Sequence, residues 1–161
     1  MIQSKRLTLK DMPFFSKWVE YYYNHKTETL HALFLSPFNI KKINTKDKQR
    51  LWYSEYKEPK ECEDDIYIWY IVWQGNTRIG AVNFAGCVDE CETVFFLIPE
   101  YCGKGLSSDA YWSAEILVIE KYSVEYIWGE AHNEKSAKVF ENNQYNKLFG
   151  INDYYKYIEY L

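Results

Sequence analysis

The amino-acid sequence predicts a single α/β domain over residues 1–161, and three observations carry that expectation. The length suits one domain, which usually runs to about 100–200 residues, and a chain of this size buries roughly 70% of its unfolded surface. Stretches with the period of strands alternate with stretches of helical period, in the order βα(α)βββαβαββ. Apolar residues make up 47% and charged residues 26%, a composition that builds a packed core and excludes disorder.

Arg6-Leu7-Thr8-Leu9-Lys10 alternates apolar and polar residues, the pattern of a half-buried strand. Asp11 follows as a helix N-cap, with Pro13 in the first turn, where a missing N–H costs nothing. Phe15, Trp18, Val19 and Tyr22 then recur at helical spacing and form one apolar stripe. From about residue 24 to residue 65 the period is weak. Thr45 is the candidate cap of a second helix carrying Leu51, Trp52 and Tyr56. Ile66 to Trp73 is continuously apolar, which predicts a strand covered on both faces. Gln74-Gly75-Asn76-Thr77 supplies a turn, Arg78 to Phe84 the returning strand, and Glu92 to Ile98 a third strand ending at Pro99. Beyond the glycine-rich segment, Ala110, Ala114, Leu117 and Val118 mark the inner face of a helix. Tyr126 to Ala131 is a strand, and Asn133 caps a helix with Ala137 and Phe140 inward. Two short strands, about 145–149 and 154–160, close the chain.

Composition narrows function. The net charge of −4 argues against a nucleic-acid partner, which calls for a basic excess to neutralise phosphates. No stretch approaches the ~18 consecutive apolar residues of a membrane span, and the N-terminus lacks the apolar core of a signal peptide, so a cytoplasmic protein is expected. Cys62, Cys87, Cys91 and Cys102 form no Cys-x-x-Cys pair and only three His accompany them, so no metal site is expected. The aromatic share, 19%, is compatible with packing and with a homodimer. The solvated charge runs divide, basic at 41–50 and acidic at 61–65 and 89–92.

Cys102-Gly103-Lys104-Gly105-Leu106-Ser107 stands between a strand and a helix. Such a loop offers bare backbone N–H groups, and the helix N-terminus adds partial positive charge, which together suit a phosphate or pyrophosphate. Gly103-Lys104-Gly105-Leu106 is too short for a P-loop and lacks the hydroxyl after Lys, and Ser108 stands where a dinucleotide fingerprint needs Gly. A plain strand–helix turn is the alternative.

The same residues resemble the x-x-Gly-x-Gly pyrophosphate loop of the GCN5-related N-acetyltransferase (GNAT) family. Ser4 to Lys10 is similar to the opening strand of that family's ribosomal-protein-alanine branch. Trp69 to Gly80 is similar to its central hairpin, Glu92 to Tyr101 to the strand before the loop, and Asn133-Glu134-Lys135-Ser136 to its Asn-x-x-Ser helix start. The resemblance covers about residues 3–23 and 66–150. It implies a mixed, mostly antiparallel sheet of about seven strands, splayed in the middle and flanked by about four helices. It also implies acetyl transfer from acetyl-CoA to a primary amine of a small molecule or peptide, by direct attack in a ternary complex and without a metal. Three departures stand out: Glu100 where many members have Gln or Arg, Gln144-Tyr145 in place of Gly-Phe, and Phe140 where many members use a Tyr as general acid.

Transfer to an amine needs a proton acceptor, an oxyanion stabiliser and a donor for the leaving thiolate. Glu92 is the first candidate base, against a solvated strand end beside Asp89 and Glu90, and Glu130 is the reserve. Ser136 is the candidate donor near the thiolate, against a residue that merely fits a helix start, and Asn133 is a cofactor contact or only a cap. His132 reads as structural. The resemblance makes the N–H groups of Gly103, Lys104, Gly105 and Leu106 a pyrophosphate cradle, flanked by Cys102 and Ser107. It also pairs the backbone of Leu97 and Ile98 with the pantetheine arm, as an added strand would pair. Lys104 either adds charge toward the phosphates or points to water. Tyr21, Tyr22, Tyr23, Phe34 and Phe38 would make an aromatic acceptor wall. A non-catalytic acyl-CoA sensor on the same scaffold is the rival reading, and an RNA-acting acetyltransferase is disfavoured by the net charge.

Overall fold

The computed structural model describes residues 1–24, 40–44, 49–53, 65–87, 89–131, 133–151 and 154–161. The strands are β1 (Ile2–Arg6), β2 (Ile40–Asn44), β3 (Gln49–Tyr53), β4 (Asp65–Gln74), β5 (Thr77–Cys87), β6 (Glu90–Leu97), β7 (Tyr126–Ala131), β8 (Asn146–Ile151) and β9 (Tyr154–Tyr160). The helices are α1 (Met12–Asn24), α2 (Ser107–Lys121) and α3 (Glu134–Asn142). Seven strands form one sheet in the order β1-β4-β5-β6-β7-β9-β8, while β2 and β3 pair as a separate hairpin. Among the described strands only β6 and β7 run parallel, joined through α2. That connection is the crossover a parallel pair requires.

The uninterrupted apolar run of β4 serves two cores. Ile66, Ile68, Tyr70 and Val72 enter the core beneath α2 and α3. Trp69 and Ile71 face the other way, against Met12, Phe15 and Val19 of α1. Period-2 alternation thus sends the apolar residues from Ile68 to Val72 alternately to one core and the other. At α2 the inner face is Ala110, Ala114 and Val118, with Tyr111 and Glu115 beside them. Where α3 crosses β7, Gly129 leaves room for Phe140: a Cβ there would lie 2.4 Å from the Phe140 ring. Phe140 is fully buried, 5.6 Å from the Phe95 ring and stacked on Tyr157 at 5.2 Å.

Three expectations need correction. The opening strand is Ile2–Arg6 rather than 6–10, because a turn stops it: the Asp11 carboxylate accepts from the Thr8 N–H at 2.8 Å and from its hydroxyl at 3.0 Å. Asp11 therefore closes that turn instead of capping α1, and Arg78 Nε donates to its other oxygen at 2.8 Å. Leu51 and Trp52 lie on β3, in register with Lys42 and Lys41 of β2, rather than on a helix. Thr45 and Tyr56 fall outside the described residues, which hold three α-helices. Five residues of strand suffice for β3 because pairing with β2 supplies the hydrogen bonds a helix would have supplied internally.

The C-terminal hairpin is tied to α2 by a buried polar cluster. The Tyr145 hydroxyl donates to Glu115 Oε2 at 2.9 Å and lies 2.5 Å from the Tyr111 hydroxyl. Burial, and then the neighbouring Glu159, push the Glu115 carboxyl up from about 4.5 to about 8. The folded chain therefore holds a proton that the unfolded chain releases. Between those two values the native state binds more protons, so this group's contribution to stability falls as pH rises through that window and levels off above it. Replacing the carboxyl with an amide, Glu115→Gln, is expected to flatten the decline in melting temperature between about pH 5 and about pH 9. An unchanged slope would show that Glu115 ionises normally in the fold.

Candidate active site

β6 and β7 are in register at only two positions, Cys91 with Ile127 and Glu92 with Trp128. Beyond them the strands part, although β6 stays paired with β5 as far as Leu97. The Ile98 N–H donates to Ile79 O at 2.8 Å, on the β5 side. Alternation along β6 then turns the backbone groups of Phe95 and Leu97 toward the edge that β7 has left. This opening is the root of a cleft of about 230 Å³, lined on the β6 side by Phe95, Phe96 and Leu97. Cys102, Gly103 and Ser107 line its loop end, and Asn133, Lys135, Ser136 and Val139 of α3 form the facing wall, with Tyr22 entering from α1.

The loop makes the end of the cleft a donor surface. Gly103 and Gly105 both have φ of +73°, a backbone conformation that costs other residues roughly 1–2 kcal/mol. Leu106 occupies the N-cap position of α2 without a side-chain cap, and the first helical bond runs from the Ala110 N–H to Leu106 O. Among the described residues, no backbone or side-chain acceptor is bonded to the five consecutive N–H groups from Gly105 to Asp109. Such a run, with the positive end of the α2 dipole behind it, has the chemistry that suits an anion. Lys104 does not add to it directly, since its Nζ lies over the Tyr101 ring, 5.3 Å from the centroid.

The other sequence candidates divide. Asn133 caps α3, its Oδ1 accepting from the Ser136 N–H at 2.8 Å. Asn133 is thus a helix cap, and it lines the cleft as well. Ser136 is half-buried in the cleft wall. Ile98 is not brought there: its N–H serves Ile79, its carbonyl accepts from the Tyr101 N–H at 2.9 Å, and its side chain is buried beside Phe96. Glu92 sits at the last paired position before the strands part, half-buried, on the sheet face of Val94 and Phe96. Five residues of strand, about 16 Å, separate it from Leu97. Glu130 lies on β7 directly opposite Lys156 of β9. Phe140 points into the core and not into the cleft.

Sequence reasoning missed Lys135 and Val139 as wall residues, although the 3.6-residue period carries Ser136 to Val139 on one face. It also missed the contact of Tyr22, whose hydroxyl donates to Leu97 O. Burial is the main cause that holds the Tyr22 phenol well above its usual pKa, with Cys102 adding to it. Of the expected aromatic wall, Phe34 and Phe38 lie outside the described residues, as do the Tyr23 side chain and His132. Among the described residues no group of three or more His, Cys, Asp or Glu comes together as a metal site. No described helix is long and apolar enough to cross a membrane.

Replacing the cap, Asn133→Ala, is expected to lower folding stability by about 1 kcal/mol, read as a shift in melting temperature; no shift would mean that the hydrogen bond to Ser136 contributes nothing net.

No protein-family model and no curated protein matches this chain. Solved structures do. The Campylobacter jejuni N-acetyltransferase PseH in complex with acetyl coenzyme A is similar over 99% of this chain and 99% of its own, with a TM-score of 0.56 and 17% identity. A chimera of the spermidine N-acetyltransferase SpeG from Vibrio cholerae is similar over 99% of this chain and 95% of its own, with a TM-score of 0.64 and 14% identity. The aminoglycoside acetyltransferase AAC(6')-Ib in complex with coenzyme A gives a TM-score of 0.63 at 10% identity, over 99% of this chain and 95% of its own. At these identities the likeness establishes the fold, which is that of the GNAT acetyltransferases.

Proposed function

We propose that this chain is an N-acetyltransferase that takes its acetyl group from acetyl-CoA and passes it to a primary amine by direct attack in a ternary complex. The observation that carries this reading is the juxtaposition of the unbonded N–H groups from Gly105 to Asp109 with the opened edge of β6. Phosphates bound at Gly103 to Ser107 would leave an extended arm to run along Leu97 and Phe95 toward the root of the cleft, adding to β6 as a strand adds. The similar folds solved with acetyl-CoA and with CoA support the same ligand. When bound, acetyl-CoA supplies the activated acyl group; the chain's residues supply orientation and proton transfer, and no metal.

In this reading Glu92 takes the amine proton at its carboxylate, directly or by orienting a water. Its place at the root of the opening, about 16 Å of strand from Leu97, supports that role. Ser136 offers its hydroxyl to the departing sulfur from the α3 wall. Phe140 has no part in the chemistry, so the family's tyrosine acid has no counterpart there. The acceptor is an amine drawn from polyamines, aminoglycosides, amino sugars or protein N-termini, the last because of the resemblance to the ribosomal-protein-alanine branch. The free thiols Cys87, Cys91 and Cys102 suit a reducing compartment, and the reading places the enzyme in the cytoplasm.

A melting-temperature shift on titration with acetyl-CoA is expected, followed by thiol release with one class in a panel of those amines. No shift at all would reduce the glycine loop to a turn and overturn the reading. A shift with no turnover on any amine favours the acyl-CoA sensor, to which the buried, hydroxyl-free Phe140 also points. Glu92→Gln should lower turnover at neutral pH by at least about 10-fold, general acid–base groups being typically worth 10²–10⁴, while acetyl-CoA affinity is held. Activity within a few-fold of the parent would remove Glu92 from the chemistry. Ser136→Ala is expected to slow turnover in the same way, and an unchanged rate would return it to a helix-start residue.

A further inference from the structure

We infer that Tyr22 is a positioning residue that occupies the cofactor's place on the open edge of β6 until the cofactor arm displaces it. The inference rests on the acetyl-CoA reading above. The stripe on α1 carries Tyr22 over β6, where its ring lies 5.2 Å from that of Phe96. Its hydroxyl donates to the carbonyl of Leu97, which the Cys102 thiol approaches at 3.6 Å. Leu97 is the last residue of β6, and its backbone groups face the edge left by β7. An extended ligand adding to that edge through amide groups needs the same carbonyl as acceptor. The phenolic O–H and an amide N–H of the pantetheine arm therefore compete for Leu97 O.

Burial keeps the phenol protonated, so Tyr22 is a donor at every working pH. In the free chain it satisfies a strand-end carbonyl that would otherwise face the cleft, at the cost that the ligand must break this bond to form its own. Because Tyr22 stands on α1 with Trp18 and Tyr21 packed in series beside it, 5.4 Å and 5.2 Å between successive rings, its release also reaches the expected acceptor wall. The device thus couples filling of the cofactor edge to the face that meets the amine.

The test removes the hydroxyl and keeps the ring: Tyr22→Phe, compared with the parent by isothermal titration with acetyl-CoA and, separately, adenosine 3′,5′-bisphosphate. The bisphosphate carries phosphate charge but lacks the pantetheine amides. The variant is expected to bind acetyl-CoA about 2- to 10-fold more tightly, the worth of one net hydrogen bond, with bisphosphate affinity unchanged. Its ligand-free melting temperature should fall slightly. Tighter binding from a slightly less stable protein is a pair of signs that a merely structural residue does not produce. Unchanged or weaker acetyl-CoA binding by the variant would overturn the inference and make Tyr22 a wall or a retained contact. Equal tightening toward the bisphosphate would also overturn it, by moving the effect to the loop. Failure of both proteins to bind acetyl-CoA would instead overturn the functional reading itself.

Discussion

The cleft depends on where one hydrogen-bond ladder stops. β6 and β7 are held together at Cys91–Ile127 and Glu92–Trp128 and nowhere further along. A parallel pair costs a crossover, and here the crossover helix α2 begins at the glycine loop, so the open end of the ladder and the helix N-terminus arrive at the same place. The aromatic cluster of Phe95, Tyr111 and Phe140 fills the α2–α3 side of the divergence, with centroids 5.2 to 5.9 Å apart. Gly129 admits that cluster, since any side chain there would collide with the Phe140 ring. The strand edge is therefore left open to a ligand while the core behind it stays closed.

The loop at the end of the cleft presents main-chain donors. Two left-handed glycines orient the loop, Leu106 leaves the helix start uncapped, and Lys104 is turned onto Tyr101. A site made in this way asks little of side-chain identity beyond the glycines. The α1 side works differently. There, side chains such as Tyr22 and Phe96 shape the wall, and the choice of acceptor is expected to be written in them.

Legibility followed range. The loop, the α3 cap and the inward residues of α2 and α3 were readable because each depends on spacing within about one helical turn or one strand end. The double-faced burial of β4 was readable because continuous apolarity has few other solutions. The opening strand was misplaced because Leu7 and Leu9 keep the alternation going, while the turn that ends the strand is set by the Asp11 carboxylate and its partner Arg78, 67 residues away. The helix expected from Thr45 failed at Leu51 and Trp52 because short segments take the conformation their partners stabilise. Ile98 was expected on the open edge, but the parity of β6 against β5 assigns its N–H to Ile79.

By itself the sequence determined what local periods and backbone chemistry can determine: an α/β chain, a strand–glycine loop–helix unit, and Ser136 and Asn133 at the start of one helix. Only the tertiary structure decided which strand edge stays unpaired, that Glu92 lies at the root of the opening, and that Tyr22 reaches Leu97 across 75 residues. The physical reason is that hydrogen-bond ladders and side-chain contacts between distant segments obey register and direction, and neither is encoded in the spacing of residues along one segment.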